Sequence, residues 1–113
     1  MTPEAFDAAC RALPAVTHVV QWGDSDVYKV GGKVFAIRGL GGAVSFKVSE
    51  IAYEVMIEAG IARPAPYLAR AKWVAVDDLA AVDADEMAGW LANAHSLIAA
   101  KLTRAQRGSL GLA

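Results

Sequence analysis

Cysteine is nearly absent: Cys10 is the single one among 113 residues. No disulfide can therefore close within the chain, and the paired-cysteine spacing of a structural zinc site cannot occur. Its neighbours at helical spacing are apolar, so Cys10 is expected to be a buried, inert thiol. Long hydrophobic runs are also missing. The hydrophobic share is 56%, inflated by alanine, yet no stretch approaches the about 18 apolar residues that span a bilayer. A soluble protein with no membrane partner is expected. No basic-then-apolar leader precedes Thr2-Pro3-Glu4, which predicts a cytoplasmic location. Net charge is close to nil, with 11 basic against 12 acidic residues and a formal value of -1. That balance excludes the whole-surface positive field of a strong non-specific nucleic-acid binder.

Catalytic signatures are lacking as well. Gly31-Gly32-Lys33 has neither the spacing nor the following hydroxyl of a phosphate loop, since Val34 stands where Ser or Thr would be. Gly39-Leu40-Gly41-Gly42 has no helix after it and fails the dinucleotide fingerprint. His18 and His95 form no metal-ligand pair at helical spacing, and no nucleophile elbow accompanies Cys10. Asp24 and Asp26 are expected to cap a turn. No enzyme activity, cofactor or metal follows from these patterns.

What is present begins with a local absence. From Val27 to Val48 the chain has Lys29, Lys33, Arg38 and Lys47 and no acid; Arg63, Arg70 and Lys72 form a second acid-free stretch. Residues 22–48 read as a three-stranded meander around two glycine turns. With Gly31-Gly32 as a two-residue hairpin turn, Tyr28 should face Phe35; with 39–42 as a four-residue loop, Phe35 should face Phe46. Period-2 alternation then predicts a core face of Tyr28, Val30, Phe35, Ile37, Val44, Phe46 and Val48. Lys29, Val34, Ala36, Arg38, Ser45 and Lys47 should occupy the opposite face.

Elsewhere the signals are mostly helical. Thr2, Pro3 and Glu4 open a first helix with Phe6, Ala9, Cys10 and Leu13 as its apolar stripe, stopping before Pro14. Residues 14–21 read as a connection, with His18 an ordinary boundary histidine. Ser49 caps a second helix that ends at Gly60; its acids Glu50, Glu54 and Glu58 share one face. Arg63-Pro64-Ala65-Pro66-Tyr67 should be extended, and Trp73-Val74-Ala75-Val76 a fourth strand. Asp83 with Glu86 forms a capping box for a third helix through Trp90, Leu91, His95 and Leu102, and Thr103 with Gln106 caps a short fourth. The prediction is one α+β domain over residues 1–113. Its order is α-β-β-β-α-β-α-α, with helices packed on one face of an antiparallel sheet.

Several stretches together resemble the MmcQ/YjbR family over nearly the whole length. They are Leu13-Pro14 with Val16-Thr17, Trp22-Gly23, Val27 through Ala36, Val44 through Val48, Arg63 through Tyr67, Lys72 through Val76, and Leu97-Ile98 leading to Leu102 and Arg107. At Ala94-His95 the chain departs from the Ser-Tyr or Ser-His pair usual in that family. The resemblance implies a frataxin-like, CyaY-like fold, also described as a double wing, and DNA as a partner. In that role Lys29, Lys33, Arg38 and Lys47 would neutralise phosphates, extended by Arg70 and Lys72, giving a non-catalytic binding module. The alternative is a protein-interaction or metal-handling module using Glu50, Glu54 and Glu58, or the acids from Asp77 to Glu86. A small-molecule pocket of Tyr67, Trp73 and His95 is a third expectation.

Overall fold

The structure, a computed structural model, describes residues 1–39 and 41–112. Helix α1 (Pro3–Arg11) starts where the Thr2 hydroxyl accepts the Ala5 N–H at 3.1 Å, with Pro3 in the first turn. Strands β1 (Val16–Gln21), β2 (Ser25–Val30), β3 (Lys33–Arg38) and β4 (Val44–Lys47) follow, then helix α2 (Glu50–Glu58), capped by Ser49. A two-residue strand β5 (Arg63–Pro64) and a short 3-10 turn precede β6 (Trp73–Val76). Helices α3 (Ala84–Ala99) and α4 (Arg104–Ser109) complete the described chain. Asp83 caps α3 through the Glu86 N–H, and Thr103 and Gln106 cap each other's backbone at α4.

The sheet has six strands in the order β1-β2-β3-β4-β6-β5, every neighbouring pair antiparallel. The expected α+β class holds, with two more strands than the sequence predicts. Residues 14–21 are not a plain connection. Val16, Thr17, Val19 and Val20 are β-branched, and β1 pairs along its whole length with β2. The turn joining them runs through Trp22, Gly23 and Asp24, all with positive φ.

The meander register also differs from the expected one. Lys29 pairs with Val34, as predicted, but Tyr28 pairs with Ala36, so Phe35 is an extra residue in a β-bulge. Beyond the bulge β3 turns over: Ala36 joins Phe35 in the main core, while Ile37 and Arg38 exchange the faces predicted for them. The next turn shifts by one residue too, because the Gly39 N–H donates to the Ala43 carbonyl and Arg38 pairs with Val44. The predicted four-residue loop includes Leu40, which lies outside the described residues. The two one-residue displacements cancel in β4, so Val44 and Phe46 face the core as expected.

That core lies between the sheet and the helices. Phe6 and Cys10 of α1, Met56 of α2 and Met87, Leu91, Ala94 and Ile98 of α3 pack on Tyr28, Val30, Phe35, Phe46 and Val74. A smaller cluster occupies the outer face, where residues 65–71 cross the sheet and bury Ala65, Trp73 and Ala75 against Val34, Ile37 and Leu68.

Gly31 and Gly32 take φ of +57° and +78°, the paired positive values of a tight hairpin. A Cβ on Gly31 would lie 2.7 Å from the buried Leu102 side chain, whereas one on Gly32 would meet nothing within 4 Å. Gly32→Ala should cost about 1–2 kcal/mol from the backbone alone. Gly31→Ala should cost measurably more, and paired urea denaturation midpoints check the difference.

Candidate functional site

The outer face carries a trough of about 410 Å³ lined by Trp22, Val34, Ile37, Pro66, Tyr67, Leu68 and Trp73. Its walls come from separate parts of the chain: the β1–β2 turn supplies Trp22, β3 supplies Val34 and Ile37, and the crossing segment supplies Pro66 to Leu68. Trp73 is buried and anchors the base. Trp22 and Tyr67 are different, since Trp22 is 61% exposed and Tyr67 fully exposed. Both also hold left-handed backbone, with φ of +52° and +65°. Such a conformation costs a non-glycine residue about 1–2 kcal/mol, and nothing in burial repays it for these two rings. Their shared position on one trough marks it as the candidate binding site.

Of Tyr67, Trp73 and His95, expected to share one pocket, the structure brings the first two together on the trough and separates His95 from them. His95 lies on the helix side of the sheet, 7% exposed, its ring edge-on to Phe35 at 5.4 Å between centroids. Its Nε2 is 2.8 Å from the Pro14 carbonyl oxygen, which can only accept, so Nε2 carries the proton and donates. His95 is a satisfied core residue that ties α3 to the start of β1. Trp22 was the missed member; an aromatic ahead of Gly23 in a turn is its only trace in the sequence.

Of Lys29, Arg38 and Lys47, expected together on the outer sheet face, the bulge separates Arg38 from the other two. Lys29 pairs with Val34 and Lys47 with Trp73, so both belong to the outer face at its Gly31-Gly32 end. Lys47 donates to the Ala71 carbonyl. Partial burial and then the nearby charges of Lys101 and Lys72 lower the Lys47 pKa, partly opposed by Glu50. Arg70 is exposed on the crossing segment, three residues from Tyr67. Lys33 is exposed at the hairpin tip and pairs with Val30, which places it on the helix side. Lys72 takes left-handed backbone and holds its Nζ 4.8 Å from the centre of the Tyr53 ring.

Arg38 leaves the basic face altogether. Its Nη1 donates to Asp26 Oδ2 at 3.0 Å, while Asp26 Oδ1 meets His18 Nε2 at 2.8 Å. Arg38, Asp26, Tyr28, Asp7, Glu4 and Pro3 line a second recess, of about 330 Å³. Three carboxylates against one guanidinium make it a poor place for an anion. A third recess, between α2 and α3, also about 330 Å³, is lined by Val48, Ser49, Ala52, Trp90, Asn93, Ser96 and Leu97 and has no charged side chain in its walls.

Within the Arg38 recess the Tyr28 hydroxyl donates to Asp7 Oδ1 at 2.7 Å. This bond, above all, and the Arg11 guanidinium hold the Asp7 carboxyl below its ordinary value of 3.8, against the opposing effect of partial burial. Because the folded pKa is lowered, the stabilisation is full above 3.8 and is lost as pH falls through the lowered value. Tyr28→Phe should raise the Asp7 pKa in a carboxyl NMR titration. The stability gap between wild type and variant should then be widest near neutrality and close in acid. Nearby Cys10 is fully buried, and burial pushes its thiol up to about 12, leaving it unreactive at neutral pH.

On the acidic side, Asp77 accepts two bonds from Arg63, at 2.7 and 2.8 Å, which hold its carboxyl low. Among the described residues, no group of three or more His, Cys, Asp or Glu side chains converges as a metal site would require. No helix among them is long and apolar enough to cross a membrane.

Comparison with known proteins bears on the fold more than on the trough. The crystal structure of Deinococcus radiodurans protein DR2400, described as a DUF419 domain, is similar with a TM-score of 0.87 at 24% identity. The similarity covers 99% of this chain and 89% of that one, and at this identity it speaks for the fold alone. No curated protein matches the chain. The YjbR family profile matches residues 11–97, a span that takes in all six strands and every residue of the trough. With most of its length matched in this way, the chain belongs to the YjbR family.

Proposed function

We propose that the protein is a non-catalytic binding module whose outer sheet face holds an anionic partner, and that the partner is DNA, as the family resemblance implies. One observation carries this reading: two exposed aromatic rings, held at a cost in backbone strain, line an apolar trough that has Lys29 and Lys47 on the same sheet face. The contact set is revised accordingly. Lys29, Lys47 and Arg70 neutralise phosphates, Lys33 and Lys72 flank them, and Arg38 drops out because Asp26 already holds it. The contacts fix position and read no base sequence.

Labelled DNA titrated at low salt tests the reading. Binding should weaken by roughly 0.9 log unit per phosphate contact for each tenfold rise in salt. An absence of binding at about 20 mM salt would refute it, because electrostatic contacts are strongest there. The acidic alternative has less support, since Asp77 is committed to Arg63 and Asp83 to the start of α3.

A further inference from the structure

We infer that the trough takes an unpaired nucleobase, so that the partner is gripped as a single strand. This rests on the reading above and narrows it to one ligand chemistry. Duplex DNA buries its base faces in the stack and presents groove edges and phosphates. Trp22, Tyr67 and Trp73 offer the reverse: flat apolar rings with little hydrogen-bonding capacity in the walls around them. Such a surface suits the face of a base and is tolerant of its identity, because every base has one.

The arrangement is also directional. Trp22 projects from the β1–β2 turn and Tyr67 from the crossing segment, so each ring approaches the trough from its own side. The register puts Lys29, Lys47 and Trp73 together at the Gly31-Gly32 end, and Arg70 lies on the same segment as Tyr67. A base seated among the rings therefore has cations beside it for the phosphates that flank it, and neither Val34 nor Trp73 has an acidic cross-strand partner. Charge and shape together commit the occupant to a single-stranded nucleic acid.

The test compares three ligands of equal length, about 15 nucleotides, at one low salt concentration: oligothymidylate, the same chain with its bases removed, and a duplex. Oligothymidylate should bind most tightly. Loss of bases should weaken binding between about five- and about 150-fold for each stacked base. Trp22→Ala and Tyr67→Ala, both at exposed positions, should each produce a loss within that range for oligothymidylate and little change for the abasic chain. Trp22→Phe should retain most of the affinity. An oligouridylate arm separates DNA from RNA as the source of the bases. Equal binding of all three DNA ligands, unaffected by Trp22→Ala, would overturn the stacking inference and leave the phosphate-binding reading intact. Tighter binding to duplex would do the same. If nothing binds, both fall.

Discussion

Phe35→Ala should remove about 3–5 kcal/mol of stability, the largest loss expected from any single substitution considered for this protein. Phe35 is fully buried and sits at the bulge where β3 turns over. Its ring packs edge-on against His95, so truncation opens a cavity beside a buried polar group whose bond to Pro14 depends on close packing. A domain of this size has about 5–15 kcal/mol in all, so the variant should be marginal. Ile37→Ala provides the contrast. Uninterrupted alternation would put Ile37 in the same core as Phe35, but the bulge places it half-buried on the outer face. Its truncation should cost clearly less. Chemical denaturation of the two variants compares them directly, and equal losses would contradict the bulge.

Lys29→Glu combined with Lys47→Glu should weaken single-strand binding at least about 25-fold at 0.1 M salt. Each phosphate contact on a single strand contributes roughly fivefold between 1 M and 0.1 M salt, so two contribute about 25-fold through counterion release alone. Charge reversal adds repulsion to that loss. The salt dependence should flatten by about two contacts at the same time. Lys47 also bonds the Ala71 carbonyl, so its replacement can loosen the crossing segment. Lys29→Glu with Arg70→Glu leaves that bond in place and should flatten the slope similarly. Arg38→Glu should behave in the opposite way. It places a carboxylate against Asp26 and lowers stability, yet leaves the salt slope alone, because Arg38 is on the other side of the sheet. An unchanged slope in both lysine-containing double variants would remove the outer face from the interaction.

Much of the fold was legible because it rests on local rules. Thr2, Ser49, Asp83 and Thr103 each accept a backbone N–H three residues on, as capping chemistry predicts. Gly31-Gly32 forms the tight hairpin that its freedom at positive φ suggests, and Tyr28, Val30, Val44 and Phe46 face the helices. The first strand was partly visible in its β-branched residues. It was missed because the Trp22-Gly23-Asp24 turn uses two non-glycine residues in left-handed backbone, a geometry that residue type does not announce.

The sequence by itself determined the class of the fold, the caps, the hairpin, the absence of a cysteine framework and the acid-free run from Lys29 to Lys47. Lys29 and Lys47 lie on the face that alternation predicts, and tertiary structure alone decided that Arg38 does not. One extra residue at Phe35 reverses the alternation beyond it and leaves the Phe35 ring against His95 of α3. The reversal moved Arg38 to Asp26 and brought Ile37 beside Val34. Chain crossing then assembled the rest of the trough, since Trp22 and Ile37 are remote in sequence from Tyr67 and share the trough with it only when residues 65–71 cross the sheet. His95, expected in one pocket with Tyr67 and Trp73, was excluded by the same geometry: a sheet has two faces, and the sequence names the residues without saying which face receives them.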